Sequence, residues 1–139
     1  MADIKQLVGV EMDATNGLMA AVSPVEIVVR VIESSRLDLS DEKRLQAQLA
    51  EVFKEAGIVF EREFRLSAGD VPDFFVEGGV VVECKTRGAR KTEVYRQLVR
   101  YAEHENVNAI VLASNLSMGL PADIGGKPAY MASLSRGWM

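Results

Sequence analysis

The sequence predicts an α/β fold in which a mixed central β-sheet is flanked by helices. Three observations carry this. Apolar residues recur at helical spacing over 45–56. Two runs rich in Val and Phe, 73–76 and 80–85, then meet at Gly78-Gly79, a hairpin signal. A second helical pattern over 92–102 leads to the apolar run 109–113. A hairpin followed by a helical crossover and a further strand mixes antiparallel with parallel pairing.

The chain has 139 residues, enough for one domain with one apolar core. Its hydrophobic fraction of 48% and charged fraction of 26% are those of an ordinary globular protein. A formal charge of -4 argues against a surface coated in basic charge, but leaves room for a local basic patch. Cys84 is the one cysteine, so no internal disulfide forms, which suits a reducing compartment. No segment is long and apolar enough to cross a bilayer. The opening Met1-Ala2-Asp3-Ile4-Lys5 lacks the order of a secretory signal, so the expected location is the cytoplasm.

Residues 6–12 read as a short strand and 17–22 as a turn or loop. Ser23-Pro24-Val25-Glu26 is a capping box, with Pro at the first helical position. The helix it opens runs to about Ser35 and is so apolar that it predicts packing on most sides, including against a second subunit. Ser40 is expected to cap the next helix, with Asp41 and Glu42 in its first turn, where the dipole favours negative charge. Leu45, Leu49, Val52, Phe53 and Ala56 form its apolar stripe, and Gly57 ends it as a left-handed cap. Residues 58–66 read as a strand, 67–72 as a turn, and 73–76 and 80–85 as the hairpin. Thr92 is expected to cap the third helix. Residues 109–113 read as a buried strand, 118–127 as a loop, and 128–134 as a last edge strand.

The chemistry concentrates in Gly69-Asp70-Val71-Pro72-Asp73-Phe74-Phe75 and in Val80-Val81-Val82-Glu83-Cys84-Lys85. Glu83 and Lys85 are two apart, so on a strand they share a face. Charges ending a valine run are costly unless they serve a site or reach water. Phosphodiester hydrolysis needs a hard cation held by oxygen, and Mg²⁺ takes one or two carboxylates while keeping several waters. Asp73 and Glu83 supply such carboxylates, and the Cys84 carbonyl is a further candidate ligand. Lys85 would orient water or stabilise developing charge. This assembly has a condition. A plain two-residue turn at Gly78-Gly79 would put Asp73 opposite Cys84, facing away from Glu83. A three-residue loop through Glu77-Gly78-Gly79, or a bulge near Pro72-Asp73, would bring the acids to one face.

The strings G-D-V-P-D-F-F, V-V-V-E-C-K-T and Q-L-V-R-Y together resemble the PD-(D/E)XK nuclease superfamily. Gln97 and Tyr101 resemble the Q-x-x-x-Y motif of its RecB-like and Cas4-like branch. The resemblance spans about 40–115 and implies a restriction-endonuclease-like core, with 1–39 as an N-terminal helical extension. It implies a Mg²⁺- or Mn²⁺-dependent deoxyribonuclease acting in recombination, repair or the processing of phage or mobile-element DNA. Asp73, Glu83, Lys85, Gln97 and Tyr101 would be its catalytic set. A metal-binding glutamate on the preceding helix is also implied, Glu42 or else Glu51. Without a P-loop or a cysteine cluster, the chain would be a stand-alone nuclease domain.

Arg87, Arg90, Lys91, Arg96 and Arg100 crowd the segment after Lys85 and suit a phosphate backbone, with DNA as the expected partner. Blander readings stand beside these. Asp73 after Pro72 is ordinary turn chemistry, Glu42 suits any helix start, and the arginines suit a solvated face. His104 reads as a surface residue, and the Cys84 thiol as core packing on the face opposite Glu83. The alternative function is a non-catalytic nucleic-acid-binding or assembly module on the same fold, and a homodimer through the first helix is compatible with the nuclease reading as well.

Overall fold

The computed structural model describes residues 22–139; the readings made for 6–12 and most of 17–22 lie outside the described residues. Three helices and six strands follow in the order α1 (Pro24–Glu33), α2 (Glu42–Glu55), β1 (Phe60–Arg62), β2 (Phe74–Val76), β3 (Val80–Lys85), α3 (Lys91–Ala102), β4 (Ala109–Ser114), β5 (Asp123–Ile124) and β6 (Lys127–Ser133). A single 3₁₀ turn, Arg136–Trp138, closes the chain. The strands form one mixed sheet, ordered β1-β2-β3-β4-β6-β5. β1–β2–β3 is antiparallel, β3–β4–β6 is parallel, and β5 pairs antiparallel with β6. The fold is therefore α/β with a mixed sheet, as the change of period in the sequence predicts.

Alternation along the strands assigns the two faces. Val80, Val82 and Cys84 of β3 join Val111 and Ala113 of β4 under α1 and α2. Val81 joins Ile110 and Leu112 under α3, with Leu98 and Tyr101. β3 and β4 are buried on both faces, which is why they read as unbroken apolar runs. Phe53 of α2, Phe60 of β1 and Phe74 of β2 meet edge to face, with centroids 5.3–5.6 Å apart. Such contacts stabilise by about 0.5–1.5 kcal/mol each beyond area burial. They clamp α2 onto the strand that begins beside Asp73.

Several boundaries differ from the sequence reading, each for a local reason. The Ser23 hydroxyl accepts the Glu26 N–H at 3.3 Å, as the capping box predicts. The cap of α2, however, is Asp41, which accepts the Lys43 N–H at 3.0 Å, while Ser40 donates to Asp38 at 2.6 Å. α3 opens at Lys91 without a side-chain cap, and Thr92 lies inside its first turn. β1 stops at Arg62 because Glu63 turns the chain with φ +51. The segment read as a loop at 118–127 contains β5, joined to β6 through Gly125-Gly126, both at positive φ. β6 is not an edge strand, since it lies between β4 and β5. α1 is not an extension either. Val25, Val28, Val31 and Ile32 are buried within the main core, so its apolarity needs no second subunit.

β2 and β3 pair Phe74 with Val82 and Val76 with Val80, leaving Glu77-Gly78-Gly79 as a three-residue loop. Asn108 pins this loop: its N–H meets the Gly79 carbonyl at 2.7 Å and its amide meets the Gly78 carbonyl at 2.9 Å. Gly79 has φ +80, and a Cβ there would lie 2.7 Å from the Asn106 carbonyl. Gly57 has φ +77 but nothing within 4 Å. Gly79→Ala should therefore destabilise by about 2–3 kcal/mol and Gly57→Ala by about 1 kcal/mol. Urea titration checks this, and equal midpoint shifts would show that the loop tolerates a side chain.

Candidate functional site

Asp73 is the residue before β2, and continuing the β2–β3 register places it across from Glu83. Its backbone and side chain are held from three directions. Its carbonyl accepts the Glu63 N–H at 2.9 Å. Its N–H donates to Glu83 Oε1 at 3.3 Å, and its Oδ2 accepts the Cys84 N–H at 2.7 Å. Glu83 is 3% exposed. Its Oε1 also accepts the Tyr101 hydroxyl at 3.0 Å, and its Oε2 lies 3.2 Å from Lys85 Nζ. The two acids and the ammonium thus meet on the α3 side of the sheet. The three-residue loop is the irregularity that their meeting requires.

Burial acts on each group. It pushes Asp73 up to about 7, with the Glu83 charge adding to it. It also raises Glu83, against the opposing pull of Lys85 and the Tyr101 hydroxyl. Burial alone would lower Lys85, but Glu83, Glu42 and Asp73 outweigh it and hold the ammonium charged. Tyr101 is fully buried, and desolvation and Glu83 push it up, so it serves as a donor. The Cys84 thiol is buried on the α1–α2 side, and desolvation raises it, so it is no nucleophile. In an antiparallel pair one residue's N–H and C=O point to the same edge. The Cys84 carbonyl is therefore directed to the edge where its N–H meets Asp73.

Glu42 is the first residue of α2 and half-buried. Its charge acts on Asp73, Cys84 and Lys85. Glu51 is exposed on the same helix and pairs with Lys54 at 3.4 Å. Of the two, Glu42 is the one whose charge reaches the acids and Lys85. Among the described residues, no three His, Cys, Asp or Glu side chains are gathered tightly enough to hold a metal by themselves. Asp73, Glu83 and the Cys84 carbonyl, with Glu42 nearby, still match the sparse oxygen set that Mg²⁺ takes together with its waters. A divalent charge there would offset the repulsion between the two buried acids.

Lys85 also lines a groove of about 680 Å³ with Arg90, Glu93, Arg96, Gln97 and Arg100. Gln97 is half-buried on its wall. Arg90 pairs with Glu93 at 3.6 Å. Arg87 and Lys91 are exposed but outside the lining. Arg100 Nε lies 3.1 Å from Asp70 Oδ1, and His104 Nε2 lies 2.9 Å from Asp70 Oδ2. His104 is therefore not a free surface residue. Asp70 escaped the sequence reading because its charged partners, Arg100 and His104, are thirty or more residues away. The i,i+4 spacing of Arg100 and His104 was the one available signal. No family model, no curated protein and no solved structure matches this chain.

The buried acids make stability depend on pH. Folded Asp73 keeps its proton to about pH 7, whereas its ordinary value is 3.8. Between those values the folded chain binds more protons than the unfolded one, so stability falls as pH rises. Asp73→Asn should flatten this decline and stabilise the metal-free chain at pH 8 by on the order of 2 kcal/mol. Urea midpoints from pH 4 to 8 test it; a variant that tracks wild type throughout would refute the assignment.

Proposed function

We propose that the chain is a metal-dependent DNA nuclease with a restriction-endonuclease-like core, of the PD-(D/E)XK kind. The observation that carries the reading is the convergence of Asp73, Glu83 and Lys85 on one face, at the head of a groove lined by arginines. Asp73 and Glu83 would hold Mg²⁺ or Mn²⁺, with the Cys84 carbonyl, and Glu42 directly or through water. When bound, the ion supplies Lewis acidity, lowering the pKa of water and offsetting phosphate charge. Lys85 offers donors and no acceptor, so it acts on developing negative charge and not as a base. Tyr101 orients Glu83 from below, and Gln97 faces the substrate from the groove wall. Arg90, Arg96 and Arg100 position the phosphate backbone without reading sequence. The setting that the motif resemblance implies is recombination, repair or the processing of phage or mobile-element DNA.

Incubation with single-stranded, double-stranded and branched DNA in Mg²⁺ or Mn²⁺ tests this reading. Cleavage should disappear in EDTA and fall by on the order of 10³ or more in Asp73→Ala and Lys85→Ala. Glu42→Ala should weaken Mn²⁺ binding in calorimetry more than Glu51→Ala does. Cleavage that survives Asp73→Ala would sink the proposal. DNA binding without metal binding or cleavage would favour a non-catalytic module instead.

A further inference from the structure

An acid bonded to a groove arginine weakens the field that would attract a polyanion, so Asp70, which does not itself line the groove, needs an explanation. Its side chain is only 15% exposed, and both oxygens are used. Oδ1 accepts Arg100 Nε at 3.1 Å. Oδ2 accepts His104 Nε2 at 2.9 Å and the Ser67 hydroxyl at 3.3 Å. The Asp70 carbonyl also accepts the Leu66 and Ser67 N–H groups, so the acid sits on a closed turn. Arg100 is half exposed and lines the groove. Guanidinium carries five donors in a planar fork. Asp70 takes the Nε donor, and the terminal nitrogens make no other hydrogen bond among the described residues.

We infer that Asp70, seated by His104, is a positioning residue that holds Arg100 as a preformed clamp for one backbone phosphate. With Nε tied, the plane of the fork is set and its terminal edge is left for the ligand. A free arginine would lose side-chain freedom on meeting phosphate; a tethered one has lost it on folding. The ligand class, a nucleic-acid backbone, rests on the reading proposed above, but binding is measurable without cleavage.

The sign of one substitution separates orientation from simple charge. Asp70→Leu keeps the branched shape but removes both the negative charge and the acceptors for Arg100 and His104, so bulk electrostatics alone makes DNA binding tighter. Orientation of Arg100 makes it weaker, by about 3–10-fold. Fluorescence anisotropy with a short DNA oligonucleotide in EDTA, from 50 to 200 mM salt, reads this directly. Arg100→Gln should weaken binding by about 10-fold and reduce the salt slope by about 0.9, the value for one phosphate contact. The double variant should bind no more weakly than Arg100→Gln alone. Tighter binding by Asp70→Leu, or an undiminished Asp70→Leu effect in the Arg100→Gln background, overturns the inference. Should Asp70→Leu fail to fold, Arg100→Lys decides: it keeps the charge but lacks the fork, so wild-type affinity overturns the clamp and a loss near that of Arg100→Gln supports it. Binding with no cleavage under any condition defeats only the enzymatic reading. No DNA binding by the wild-type chain defeats both.

Discussion

The length of the β2–β3 connection decides which face Asp73 occupies. Side chains alternate along a strand, so one residue more or fewer in Glu77-Gly78-Gly79 would exchange the positions of Asp73 and Phe74. The acid would enter the apolar layer under α2, and the phenylalanine would stand beside Glu83. Both errors are costly, because Phe74 completes the aromatic contact with Phe53 and Phe60. The register is held at its other end by Asn108, which ties the loop to the chain entering β4. One loop therefore couples the core of one face to the chemistry of the other.

That coupling places two acids where solvent is scarce. Both are raised by burial, and the single ammonium beside them compensates only in part. Hydrogen bonds from the Cys84 N–H and the Tyr101 hydroxyl stabilise their charged forms. A domain built for stability alone gains nothing from such an arrangement, since apolar residues would fill the same volume without desolvating charge. Acids perturbed in this way cluster at functional sites, which supports the proposed metal site.

The groove beside the acids shows a similar balance. Arg90 and Arg100 each carry an acidic neighbour, Glu93 and Asp70, while the net charge of the chain is negative. Positive charge is therefore local, concentrated on the α3 wall of the groove. Exposed pairs such as Arg90–Glu93 contribute little to stability. The Asp70 contacts differ, because the acid is largely covered and reaches Arg100 of α3 and His104 just beyond that helix from the β1–β2 connection.

The sequence by itself determined the elements whose signals are local. The Ser23 N-cap, the stripe of α2 and the valine run of β3 depend on residues within one or two turns, and each formed where it was read. It also determined that Glu83 and Lys85 share a face, because strand geometry requires it. Tertiary structure alone decided what rests on distant partners. It turned α1 from an extension into a layer of the core and moved β6 from the edge to the interior. It also drew His104 from solvent onto Asp70, set Glu42 and not Glu51 within electrostatic reach of Asp73 and Lys85, and left Arg87 and Lys91 outside the groove. Those outcomes turn on contacts between segments far apart in the chain, and a local pattern records what an element buries without naming what covers it.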